Sequence, residues 1–247
     1  MKEAQDDPES LRKHMLHTYV SSRIGVAAIG GLLPIALSVP VWLRREMLLE
    51  SISEYYYSFM GDVFVGALIA VGISLFLYKG FGSRENYALN AAGIFAVMVA
   101  LFPMRLASEL GGQLRSRVHY TSAILLFLCL GYVCIYRAGD TLSPSLVPDR
   151  KRAARLYYTY RVLGILMFTL PVSAIFFGRW WKYFAETVSV LTFAMYWAIK
   201  TVELRRSGAD VLAAEGRLSA REAVGPGAER HVAPSGEHDG IGRLHVV

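Results

Sequence analysis

The chain has 247 residues, of which 54% are hydrophobic and 19% charged, with a net charge of +6 and a mean hydropathy of +0.36. A soluble domain usually carries about 25% charged residues and shorter apolar stretches, so the composition argues against a soluble globular class. The basic excess is spread over short connecting segments and reads as a topology signal, not as a nucleic-acid surface.

Six apolar runs follow one another at 24–43, 61–78, 87–103, 118–136, 162–178 and 184–199. A hydrocarbon core about 30 Å thick takes roughly 20 residues as a helix, so each run suits one crossing. The runs are continuously apolar instead of alternating, which predicts helices over barrel strands. The expected fold is all-α: a six-helix transmembrane bundle, multi-pass in a bacterial inner membrane, with both termini in the cytoplasm. Three parts are expected: a cytoplasmic segment 1–23, a membrane domain 24–203 and a disordered cytoplasmic tail 204–247.

The first run is too long for a cleaved signal peptide, whose apolar part is about 7–15 residues, and predicts a retained anchor. Before it, Asp7-Pro8-Glu9 is a helix start, with a capping acid, a first-turn proline and an acid facing the dipole. The segment after the first run holds Ser51-Ile-Ser53-Glu-Tyr55-Tyr56-Tyr57. A tight turn, Lys79-Gly-Phe-Gly-Ser83, makes runs two and three antiparallel neighbours. Run three carries Ala88, Ala92, Ala96 and Ala100 at four-residue spacing, a small-residue face that permits close helix approach. Cys129 and Cys134 lie in run four about 140° apart around the helix and cannot bridge one another. The segment 138–160 is the most basic, and Pro144 and Pro148 prevent a continuous helix there. Pro171 is expected to kink run five. From Ser207 onward, few large apolar residues remain, and a disordered tail is expected.

With the N-terminus inside, fourteen basic residues fall on inner segments: Arg12, Lys13, Arg23, Lys79, Arg84, Arg137, Arg150, Lys151, Arg152, Arg155, Arg161, Lys200, Arg205 and Arg206. Seven fall outside, at Arg44, Arg45, Arg105, Arg115, Arg117, Arg179 and Lys182. Leaving out Lys2 and the distal tail, that asymmetry predicts an N-in, C-in arrangement.

Ionisable groups are costly in lipid, so their positions are informative. Asp62, His119 and Glu186 stand near the starts of runs two, four and six, which all run from outside to inside. Their N-terminal ends therefore share one membrane face, where Ser53 and Tyr56 also fall. This predicts an outer polar site that binds a lipid head group or small ligand through Ser53, Tyr56, Asp62, His119 and Glu186. One alternative is a metal-dependent intramembrane lipid hydrolase. There Asp62, His119 and Glu186 hold zinc with Ser53 assisting; alternatively, without that role, His119 acts as general base toward Ser53 or a substrate hydroxyl. A third reading is a scaffold subunit that forms homo-oligomers through the alanine face of run three. Carboxylates at helix starts also gain roughly 0.3–1 kcal/mol from the dipole alone. A single membrane-region histidine excludes a bis-histidine haem within one subunit. Membrane lipids are the expected partners, and nucleic acid is not.

Ser51-Ile-Ser53-Glu-Tyr55-Tyr56-Tyr57 followed by Gly61-Asp62-Val-Phe-Val-Gly66 resembles a bacterial family of six-span membrane proteins of unknown function. Tyr78-Lys-Gly80, Asn90, Ala100-Leu-Phe-Pro103, His119 and Phe184-Ala-Glu186 continue the likeness across roughly 50–203. More distantly the chain is similar to the Frag/DRAM/Sfk multi-span proteins, which pair a serine in the first outer loop with a later helix-start histidine. Where the family ends its last span with Lys-Gly-Glu, this chain has Thr201-Val202-Glu203. The resemblance implies a shared topology and set of polar positions, and no reaction.

Overall fold

A computed structural model describes residues 8–104 and 112–215. Asp7, Arg105 and the tail beyond 215 lie outside the described residues, so the readings that fall on them have no structural counterpart. The described chain is all-helical, with no strand among the described residues. Six long helices account for the apolar runs: α1 (Pro8–Leu43), α2 (Gly61–Leu77), α3 (Ser83–Leu101), α4 (Gln113–Tyr132), α5 (Arg150–Ser173) and α6 (Arg179–Ser207). A short α7 (Ala209–Ala214) follows Gly208, whose left-handed φ of 68° turns the chain.

Each helix packs on its neighbours in sequence, and α6 returns to pack on α1, so the six close into a ring. Close approach is set by glycines. A Cβ on Gly93 of α3 would lie 2.5 Å from the Gly72 carbonyl oxygen of α2, and one on Gly164 of α5 would lie 2.4 Å from the Ile135 side chain. The alanine face of α3 is spent on the same contacts: Ala92 and Ala96 are fully buried inside the chain. That face is therefore not open to a second copy, as the scaffold reading requires.

Two helical stretches, Glu9–Leu43 and Gln113–Thr141, are long and apolar enough to cross a membrane by length and composition. The apolar α2, Gly61–Leu77, has 17 residues and is shorter. Large apolar side chains point away from the ring on every long helix, among them Leu32, Trp42, Ile73, Phe76, Ile94, Leu101, Leu114, Ile165, Phe176 and Phe184.

Helix boundaries agree with the sequence in one place and differ in others. The first helix begins at Pro8, as the Asp7-Pro8-Glu9 start predicts, and runs without a break into the apolar run. α5 begins at Arg150, capped by Asp149, whose side chain accepts from the Lys151 and Arg152 amides. Three basic turns therefore precede its apolar part. Pro171 sits in the last turn of α5, where the helix stops at Ser173. Residues 204–207 complete α6 and 209–214 form α7, so the disordered tail expected from 204 does not begin there. Ala209 is fully buried and Leu212 packs on the core, which explains why this short helix is ordered.

Candidate functional site

One end of the ring gathers the first turns of α2, α4 and α6 with the last turns of α3 and α5. Between α1 and α2 the chain makes a 3-10 turn, Ile52–Tyr57, on that end. Ser51 caps it, its side-chain oxygen accepting from the Glu54 amide at 3.2 Å. The Tyr57 hydroxyl donates to the Met104 carbonyl at 2.7 Å, and Tyr55 is fully buried beneath. Gly61 is required below the turn, because a Cβ there would lie 2.4 Å from the Tyr56 carbonyl oxygen.

Glu186 of α6 reaches the same turn. Its Oε2 accepts the Ile52 amide at 2.8 Å and the Ser53 amide at 3.4 Å. These are amides that a helical turn leaves without intrahelical partners. His119 of α4 does the reverse for α3. Its Nδ1 faces the Phe102 carbonyl at 2.9 Å and the Val99 carbonyl at 3.2 Å, two of the orphan acceptors at that helix end. Both residues thus tie segments together, and both also border an internal cavity.

The cavity measures about 530 Å³ and is lined by residues of all six long helices. This lies within the roughly 300–1,000 Å³ usual for ligand sites. Its body is aliphatic and aromatic, with Leu33, Phe64, Leu68, Val71, Leu75, Leu126, Phe127, Leu130 and Phe193 on the walls. Its polar lining is concentrated at one end, at Ser53, His119, Tyr120, Lys182 and Glu186. From Phe64 to Leu75 the α2 wall is roughly 16 Å long at about 1.5 Å per residue. Tyr120 and Ile175, both lining residues, are also exposed at the surface.

Of the residues predicted from sequence, Ser53, His119 and Glu186 meet on this cavity. Asp62 and Tyr56 do not. They border a separate surface hollow with Ser58, Phe59, Val65 and Gly66. The reason is rotational: Phe64 faces the cavity, and Asp62, two residues earlier, points about 200° away around the helix. Among the described residues no group of three or more His, Cys, Asp or Glu side chains is placed to hold a metal ion. The zinc set expected at Asp62, His119 and Glu186 is therefore not gathered.

The opposite end holds a buried polar cluster that sequence reading missed. Lys200 Nζ donates to Glu203 Oε2 at 2.9 Å, to Thr141 Oγ1 at 2.6 Å and to the Ala138 carbonyl at 2.9 Å. Glu203 also accepts from Thr141 and, at 2.5 Å, from the Tyr160 hydroxyl. Lys200 and Glu203 are 3% and 1% exposed, so the pair is desolvated and relies on these bonds. Nearby, Arg23 of α1 forms a two-pronged ion pair with Asp210 of α7 and donates to the Tyr78 hydroxyl at 3.3 Å. Asp140 pairs with Arg137. The available signal was the spacing: Tyr196, Lys200 and Glu203 recur at helical intervals on one face of α6.

No family model, no curated protein and no solved structure matches the chain.

Proposed function

We propose that this chain is a six-span integral membrane protein, N-in and C-in, that binds an amphiphile in its central cavity with the polar end toward the outer face. The observation that carries the reading is the shape and chemistry of the cavity: an apolar body with its polar groups at one end. Its wall of roughly 16 Å matches one leaflet, about half of a 30 Å hydrocarbon core.

The membrane assignment draws on the outward-pointing apolar residues. A monomeric soluble protein rarely exposes apolar surface on such a scale. Only 33% and 39% of the two qualifying apolar windows are buried within the fold, whereas the core helix of a soluble protein is mostly buried. Trp42, Phe176, Phe177, Trp180 and Phe184 are exposed near the cavity end, and Tyr87, Tyr136 and Tyr158 near the opposite end. Two such levels are what membrane interfaces favour. The basic first turns of α5 lie at the second level, on the side the positive-inside rule assigns to the cytoplasm. The resemblance noted above agrees with this topology.

The test is native mass spectrometry of the detergent-purified protein, comparing the wild type with Ala67→Phe. Ala67 lines the cavity, and a phenyl group there obstructs its apolar body. One retained lipid in the wild type, lost in the variant at unchanged helicity, supports the reading. Equal lipid content in both, or none in the wild type, refutes it.

A further inference from the structure

The geometry points to a ligand whose polar end is a neutral, hydroxyl-bearing group, a single-chain lipid of the monoacylglycerol type, and not a phosphate or a free carboxylate. This identifies the ligand class of the cavity and rests on the amphiphile-binding reading above.

The argument starts from hydrogen-bond polarity. His119 Nδ1 faces two backbone carbonyls, Val99 and Phe102. Carbonyl oxygens only accept, so Nδ1 carries the proton and the neutral ring presents Nε2 as an acceptor. That nitrogen has no hydrogen-bond partner among the described residues, and His119 lines the cavity. Glu186 commits Oε2 to the Ile52 and Ser53 amides, and its Oε1 has no hydrogen-bond partner among the described residues. Two unmet acceptors thus border the same polar end. His119 is buried and Glu186 half-buried, and an occupant with hydroxyl donors would meet both acceptors.

Charge narrows the class. Lys182 is the one Lys or Arg among the residues lining the cavity. Its Nζ lies 5.6 Å from the Tyr120 ring centroid, a cation–π arrangement at the rim. An ionised phosphate or carboxylate brings only acceptors against the second Glu186 oxygen and the His119 lone pair, so neither gains a donor. A glycerol monoester matches instead. Its two hydroxyls donate to Glu186 and His119, its ester carbonyl accepts from Lys182, and its one chain follows the apolar wall.

The test compares ligands on the unaltered protein, so it does not depend on a variant folding. Monooleoylglycerol, methyl oleate, oleate and oleoyl lysophosphatidate share one chain and differ at the polar end. Each is titrated into protein in nanodiscs and followed by native mass spectrometry. Monooleoylglycerol is expected to bind about tenfold more tightly than methyl oleate, the gain of roughly one well-made hydrogen bond, and more tightly than both anions. Equal affinity across the set, or preference for an anion, overturns the hydroxyl assignment while leaving the amphiphile reading intact. Binding of none of the four overturns both.

Discussion

Glu186 and Ile52 are 134 positions apart in the chain, yet the Glu186 carboxylate accepts the Ile52 amide proton at 2.8 Å. One side chain of α6 thereby fixes the turn that carries Ser53 and leaves its second oxygen on the cavity. Glu186 is both a clasp for the turn and a wall of the site, and its two roles can be separated. Glu186→Gln keeps an acceptor for the amides and loses the charge, whereas Glu186→Ala loses both. Hydrogen bonds to a charged group contribute about 1.5–3 kcal/mol. The alanine variant is expected to unfold earlier by that amount and to lose bound lipid. The glutamine variant is expected to keep most of its stability with weakened lipid retention. Thermal unfolding in detergent alongside lipid mass spectrometry reads both.

At the other end, Lys200 and Glu203 form a desolvated ion pair held by Thr141, Tyr160 and the Ala138 carbonyl. Removing one partner strands a buried charge, at a cost of about 3–5 kcal/mol. Glu203→Ala is expected to destabilise by that amount. The double change Lys200→Met with Glu203→Leu is expected to recover much of the loss, because it leaves no unpaired charge. Chemical unfolding of the three proteins measures the difference. Equal destabilisation in the single and double variants would contradict this account of the pair.

Arg23 is 1% exposed, and its guanidinium depends on Asp210. Asp210 belongs to α7, the short helix after Gly208. Asp210→Ala is expected to release α7 from α1 and α6, on which it packs, and to expose the chain after α6 to protease. Limited proteolysis should then cut near Gly208 in the variant before it cuts the wild type. Unchanged cleavage rates would show that the ion pair does not hold the helix.

The apolar runs located all six long helices, because continuous hydrophobicity over that length leaves few other structures. They did not locate the helix ends. The first turns of α5 and the last turn of α6 are rich in Arg and Lys and look like loop by composition. Yet Asp149 caps the first, and Leu204, itself fully buried, anchors the second. By composition α7 resembles tail, because Ala209 and Leu212 are too few to show a periodic face. At the site, helix direction alone brought the starts of α2, α4 and α6 to one end. Direction says nothing of rotation, and α2 is apolar on every side, so its sequence does not reveal that Asp62 turns away from His119 and Glu186. Lys200 and Glu203 were legible as a spacing. Charges at the end of an apolar run usually lie at the interface, and only their packed partners mark these two as buried.

The account depends on the cavity end of the bundle facing the outer compartment of a membrane that α1 to α6 all cross. Single cysteines at Met47 and Arg115, both exposed at that end, and at Lys151 on the opposite end, test it in intact cells with a membrane-impermeant maleimide. The wild type, whose Cys129 and Cys134 lie within the helical bundle, serves as the unlabelled control. Labelling of Met47→Cys and Arg115→Cys without permeabilisation, and of Lys151→Cys only after it, is the predicted result. Labelling of Met47→Cys and Arg115→Cys from opposite sides, or of all three from the same side, would contradict it.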